Sequence, residues 1–272
     1  FLDWKMLEVC EGWNTDHEVV DFFCNFDYPS PKGLFMGLGA VVLGQVLLMF
    51  YHYFRVFHSE AVAIQQREMD PKKNFWRDMV GHFSRPEGFF LLGSYLSITW
   101  MFRLLPATYY SFDTPISIDI KMVFFQLACI DCFQTLMHFA EHKVNSSFYQ
   151  VSHKPHHRFY NPKLFDAFDG STADTISMIL LPLYLTANIV HCNVWEYAAF
   201  GVSYSVWLCL IHSEFTHPWD KLFRAIGFGT AGDHHVHHRL FVFNYGHLFM
   251  WWDKLLGTYK SPLEAPRFNK NI

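Results

Sequence analysis

The chain has 272 residues, of which 51% are hydrophobic, 19% aromatic and only 17% charged, with a formal net charge of −4. That balance excludes a disordered or solvating tract and gives no basis for nucleic-acid binding. Six cysteines are scattered along it; Cys129 and Cys132 form a lone C-x-x-C inside an apolar run and are read as core packing, not a redox pair. The first residue is Phe1, so the chain is read as processed or partial, and a targeting peptide would not be visible.

In chain order, residues 1–32 are acidic and predict a non-cytosolic N-terminal segment. Residues 33–54 carry no charge and are long enough to cross a bilayer, which takes roughly 20 residues. Arg55, Arg67, Lys72, Lys73, Arg77 and Arg85 then crowd one loop. Residues 88–112 form a second apolar block broken only by Arg103. Residues 115–137 form a third, carrying Asp119, Lys121 and Asp131. Blocks 175–190 and 197–211 are uncharged and short for spans, so they require tilt or shallow insertion. The connector 191–196 has no Lys or Arg. By the positive-inside rule the 55–87 loop is cytosolic, and counting crossings places 138–174 and 212–272 on the same side. A soluble protein with buried helices is the poorer reading, because no soluble core needs the block at 33–54. The predicted divisions are 1–32, 33–114, 115–260 and 261–272.

The segments on that one face are rich in histidine. "HFAEH" supplies His138 and His142, "HKPHH" supplies His153, His156 and His157, "HSEFTH" supplies His212 and His217, and "HHVHH" supplies His234, His235, His237 and His238. On a helix, H-x-x-x-H aims two imidazoles one way and H-x-x-H-H aims three. Asp233 is expected to N-cap the last helix, and Pro155 to start a helix at "HKPHH". With 17 His in 272 residues, a given H-x-x-H-H arises by accident only about 0.07 times in such a chain. His17, His52, His58, His82 and His191 lie outside the clusters and are read as core residues. The clustered candidates are His138, His142, His153, His156, His157, His212, His234, His237 and His238. They exceed the four ligands of one zinc site and suit two metals with open positions. The Glu-x-x-His pattern of soluble di-iron bundles is absent. An all-imidazole set leaves the metals strongly cationic, which suits oxygen activation.

With these boxes assembled, residues 115–260 resemble the fatty acid hydroxylase/sterol desaturase superfamily of membrane di-iron enzymes. "HKPHH", "FDG" (Phe168 to Gly170), "IHSE" and "HHVHHRLFVFNYGHLFMWWDKLLGT" recur in family order, and Asp131 precedes the first box as the family's Asp does. The tail around Asn244, Tyr245, Gly246, Trp252, Asp253 and Gly257 is similar to the sterol branch, lathosterol oxidase and methylsterol monooxygenase. Phe139, Thr135 and Ala167-Phe168 depart from the family pattern.

The resemblance implies an all-α membrane helical bundle with a cytosolic helical cap. The cap would carry the nine histidines as ligands of two iron ions (zinc being able to replace iron in a purified sample), with O2 as co-substrate. His217 and His235 are additional or outer candidates, with Asp131, Asp169 and Asp233 behind the ligands. The implied reaction is hydroxylation or desaturation of a lipid C–H bond, foremost a sterol, with fatty-acyl or carotenoid lipids as alternatives. No nucleotide-binding or haem-attachment motif is present, so electrons would come from a b-type cytochrome and an NAD(P)H reductase. The expected location is the endoplasmic reticulum membrane, with a mitochondrial or plastid membrane as the alternative. Two further readings are a non-catalytic subunit of a larger membrane complex and a zinc hydrolase or transporter. The second fits poorly, because the boxes lie outside the apolar blocks.

Overall fold

The computed structural model describes residues 29–66, 70–144 and 146–272. Its helices are α1 (Pro31–His58), α2 (Phe75–Phe83), α3 (Phe89–Met101), α4 (Ile120–Lys143), α5 (Leu181–Ile189), α6 (Val194–Leu210), α7 (Asp220–Ile226), α8 (Ala231–Leu240) and α9 (Trp251–Leu256), joined by shorter turns. Among the described residues there is no strand, only isolated bridges such as Ala63 with Phe215. The fold is the predicted all-helical membrane bundle with a histidine-rich helical region. Most of the acidic segment 1–32, His17 included, lies outside the described residues.

Two of the five apolar blocks become helices long and apolar enough to cross a membrane: α1, with mean hydropathy 2.1, and α4, with 1.4. Their outer faces are unfit for water. Phe35 and Phe50 on α1 are 67% and 72% exposed, and Ile120 on α4 is 79% exposed. The block 88–112 yields only the 13-residue α3, roughly 20 Å long and short of a bilayer core of about 30 Å. It ends because Arg103 takes a left-handed φ of 50°. The block 175–190 is also broken, into the single turn Thr172–Thr175, a π-helical turn Ile176–Leu180, and α5.

The third block is shifted. Asp119 caps α4 by accepting the Lys121 N–H at 2.9 Å, and the helix runs past residue 137 to Lys143. His138 and His142 therefore ride on the spanning helix and not on a loop beyond it. Glu196 ties this start to that of α6. One carboxylate oxygen accepts the Asn193 N–H at 3.0 Å in a capping box, and the other accepts the Asp119 N–H at 3.2 Å.

The closest packing joins α1 to α6. A Cβ on Gly44 would sit 2.5 Å from Ser205 Oγ and 3.0 Å from the Val202 carbonyl, so glycine alone permits that approach. Beside it, Gln45 donates to the Ser205 carbonyl at 3.0 Å and pairs with His82 at 3.0 Å. His52 and His82 are buried, as expected of core histidines. His58 and His191 are exposed, which corrects their assignment to the core: each ends an apolar helix where the chain leaves the bundle. Above the bundle, Ile64, Val236, Ala265 and Phe268 form a separate apolar core beneath α8.

Candidate metal centre

Four elements bring the histidines together. The last turns of α4 project His138 and His142 from one face. "HKPHH" does not start an α-helix: it is a turn closed by a 3-10 segment, His156–Arg158, with Pro155 before it. His153 and His157 then face one way while His156 faces another. His212 follows the end of α6, and α8 carries His234, His237 and His238. The N-cap of α8 is Thr230, not Asp233. Asp233 stands three residues further in, and its carboxylate accepts the Thr230 N–H at 3.0 Å and hydroxyl at 2.6 Å. Starting the helix earlier puts all three histidines in regular α-helix.

The nine candidates fall into two groups. His138, His142, His153, His157 and His237 form one; His156, His212, His234 and His238 form the other. Within each group the ligating nitrogens lie within 4.8 Å of one another. Every member is buried except His142, which is half-buried. Several Nε2 atoms face each other: His156 and His212 at 3.1 Å, His234 and His212 at 3.0 Å, His142 and His157 at 3.1 Å, His237 and His157 at 3.0 Å.

The opposite ring nitrogens show why a cation fits. His138 Nδ1 pairs with the Tyr245 carbonyl at 2.7 Å, His212 Nδ1 with Leu208 at 2.8 Å, His237 Nδ1 with Phe243 at 2.8 Å and His156 Nδ1 with Asp169 at 3.2 Å. His153 Nδ1 meets the Asp174 carboxylate at 2.7 Å. A carbonyl or carboxylate oxygen only accepts, so each of these Nδ1 atoms carries the proton and each Nε2 offers a lone pair. His156 and His212 thus point lone pair at lone pair, which is repulsive unless a cation lies between them. The buried Nε2 atoms of His138 and His153 have no protein partner at all. Nitrogens about 2.1 Å from a shared ion and at right angles to it would be about 3.0 Å apart, matching the spacings found.

Burial also holds the rings neutral, as ligation requires. It depresses His153 to about 3 and His156 to about 4. His157, His212, His234, His237 and His238 are pushed well below 6.5 by burial first and by neighbouring imidazoles second.

The outer candidates play varied parts. His217 joins neither group: its Nδ1 pairs with the Tyr51 hydroxyl at 2.8 Å and its ring stacks on Trp219 at 5.1 Å. His235 points off the shared face, pairing with Gln65 at 3.1 Å. Asp169 is clamped by Arg85 and Arg158 while its carbonyl orients His156. Asp131 lies below the histidines and accepts the N–H groups of His247, Leu248 and Phe249 at 3.1, 2.7 and 2.8 Å.

Three residues escaped the sequence reading. Asp174 and Glu141 flank His153 as a third cluster; Asp174 stands in no motif, and Glu141 lies within "HFAEH" between its two histidines. His247 is buried against a member of each group, its ring 5.1 Å from that of His138 and 5.2 Å from that of His234. Its only signal was an imidazole in the otherwise apolar run after Gly246.

An apolar cavity with an empty volume of about 720 Å³, mouth included, lies between α1, α3, α5 and α6. Val41, Leu92, Leu183 and Phe200 are among its walls; Phe168, Thr175, Tyr204 and Leu208 close the end near the histidines. Leu208 is the residue whose carbonyl holds His212, and Phe168 and Thr175 adjoin Asp169 and Asp174. Phe168, a departure from the family pattern, is therefore a wall of this cavity, 5.1 Å from the His82 ring. Phe139, the other bulky departure, packs edge-on against Tyr245 at 5.4 Å.

Fold and site thus define a membrane helical protein with two buried imidazole groups above an apolar cavity. Residues 123–258 match the family model described as Fatty acid hydroxylase, and the chain belongs to that family. It is 51% identical over 251 residues to an alternative squalene epoxidase of Phaeodactylum tricornutum, covering 90% of this chain and 71% of that protein. It is 28% identical to methylsterol monooxygenase 1 of Danio rerio, covering 57% of this chain and 56% of the relative. With lathosterol oxidase of Rattus norvegicus the identity is 33%, over 42% of this chain and 37% of the relative. The chain thus spans about half or less of these two sterol enzymes. No solved structure matches it.

Proposed function

We propose that this chain is a membrane oxygenase that uses two iron ions and O2 to epoxidise squalene or a closely similar acyclic isoprenoid. The observation that carries the reading is the junction of two neutral imidazole groups with an apolar cavity whose histidine end is closed by Phe168, Thr175, Tyr204 and Leu208. The likeness to the alternative squalene epoxidase, over 90% of this chain and 71% of that protein, supports the substrate. His138, His142, His153, His157 and His237 would hold one ion, and His156, His212, His234 and His238 the other. Bound there, the ions would supply the O2-reducing chemistry.

The balance is one alkene, one O2, two electrons and two protons, giving one epoxide and one water. The chain carries no nucleotide or haem motif, so the electrons are assigned to a b-type cytochrome and its NAD(P)H reductase. The chain's own residues fix the imidazoles through Asp174 and the backbone carbonyls of Leu208, Asp169, Phe243 and Tyr245. They also keep water from the reacting end. The site is assigned to the cytosolic face, with the endoplasmic reticulum as the expected membrane.

The test is turnover by the full chain in membranes supplied with reductase, b-type cytochrome and O2. Squalene epoxide labelled from 18O2 is the expected product. Oxidation of a methylsterol or lathosterol without any squalene epoxide would replace this reading with the sterol one.

A further inference from the structure

The bundle holds a second cavity, remote from the histidines and unlike the first in chemistry. It encloses only about 10 Å³, room for a single water-sized oxygen, and its walls include Tyr95, Tyr109, Gln126, Thr186 and Tyr197. Gln126 is 1% exposed and Thr186 2%. Both polar atoms of the Gln126 amide, Thr186 Oγ1 and the Tyr95 hydroxyl are buried without a nitrogen or oxygen partner. The Cys192 thiol lies beside Gln126 and the Cys129 thiol beside Thr186, and sulfur is a weak partner. In a bilayer, where no solvent compensates, such a cluster is costly unless something fills it.

The donor set defines what would fill it. No carboxylate or imidazole lines the pocket, so it suits no metal; no Lys or Arg lines it, so it suits no anion. The Tyr109 hydroxyl donates to the Val190 carbonyl; the groups left without a partner, the Gln126 amide and the Thr186 and Tyr95 hydroxyls, suit one neutral oxygen, whether hydroxyl, carbonyl or epoxide. The pocket shares Leu183, Tyr197 and Phe200 with the apolar cavity. Gln126 precedes His138 by twelve residues on α4, which puts it roughly 18 Å away along the helix axis.

We propose that Gln126, Thr186 and Tyr95 form a subsite for a single neutral oxygen on an isoprenoid lipid. It holds the oxygenated end of that lipid while the opposite end lies at the histidines. The proposal rests on the reading of the apolar cavity as the lipid site. It extends the substrate class from hydrocarbon to mono-oxygenated isoprenoids: squalene 2,3-epoxide bound in this sense would present its remaining terminal alkene for a second oxygen insertion of the same stoichiometry.

The experiment is competition against radiolabelled squalene on the full chain in lipid nanodiscs, using squalene and squalene 2,3-epoxide, for the native chain and for Gln126→Leu and Thr186→Val. The native chain is expected to bind the epoxide roughly tenfold more tightly than squalene. Either substitution should erase that preference while leaving squalene binding unchanged. Equal affinities in the native chain, as water alone in the pocket would give, overturn the proposal. So does a variant that keeps its fold, judged by an unchanged melting midpoint, and also keeps the preference. Failure of both lipids to bind would remove the reading of the cavity itself.

Discussion

The two imidazole groups are built from the same side chain but backed differently. The group of four is buried throughout, and two of its members, His156 and His212, are oriented by backbone carbonyls. The group of five includes half-buried His142; backbone carbonyls orient His138 and His237 there too, but a carboxylate orients His153. A backbone acceptor cannot be exchanged by mutation or titration, whereas a carboxylate raises the basicity of the imidazole it binds and can be removed. The oriented members of the group of four are therefore fixed by the fold, while the group of five is fixed in part and tunable through Asp174.

The largest expected effect comes from removing a member of either group. His157→Ala or His238→Ala should abolish product formation and lower metal content, measured by elemental analysis of the purified chain, while membrane insertion persists. Full activity in either variant would break the assignment of both groups. Next is Asp131→Asn. This buried carboxylate takes three backbone N–H groups, and an amide offers a single acceptor oxygen. A loss of about 2–4 kcal/mol in stability is expected, read as a lower melting midpoint, with both groups affected alike because the His247 loop packs on each.

Asp174→Asn sharpens the contrast. It should weaken metal binding roughly 10- to 100-fold at the group of five and less at the group of four, where Asp174 acts on His156 only through space, so chelator titration should show a half-occupied species. The native chain should pass through that species too, losing the ion beside half-buried His142 first. Simultaneous loss of both ions would erase the distinction. The smallest effect is expected from His217→Phe. It keeps the ring against Trp219 and gives up the pairings with Tyr51 and the Leu210 carbonyl, neither of them on a group member, so metal content should not change.

Much of this was legible in the sequence. The nine histidines were readable because their spacings repeat on a helical period, so local geometry alone aligns them. Their division into five and four was not: His153 and His157 join one group and His156 the other because "HKPHH" is a turn, and only tertiary packing decides which nitrogen meets which. The start of α8 was misread because Thr230 and Asp233 are both good caps, and reciprocal bonding favours the earlier one. Five apolar blocks reduced to two spanning helices because hydropathy does not reveal where a backbone breaks, as at Arg103. His247 was invisible because a lone polar residue in an apolar run has no period, and Asp174 and Glu141 because only tertiary packing brings them to His153.

The π-helical turn Ile176–Leu180 links the polar and the apolar halves of the molecule. One extra residue is wound into that rod, and the Met178 carbonyl is taken by the Gln134 amide at 2.6 Å. The insertion sets the phase between Asp174, which must meet His153, and Ile179, Leu180 and Leu183, which must face the lipid cavity. Shortening the turn by one residue would rotate one set by about 100° against the other. The imidazole groups and the apolar cavity could then no longer be served by one continuous helix.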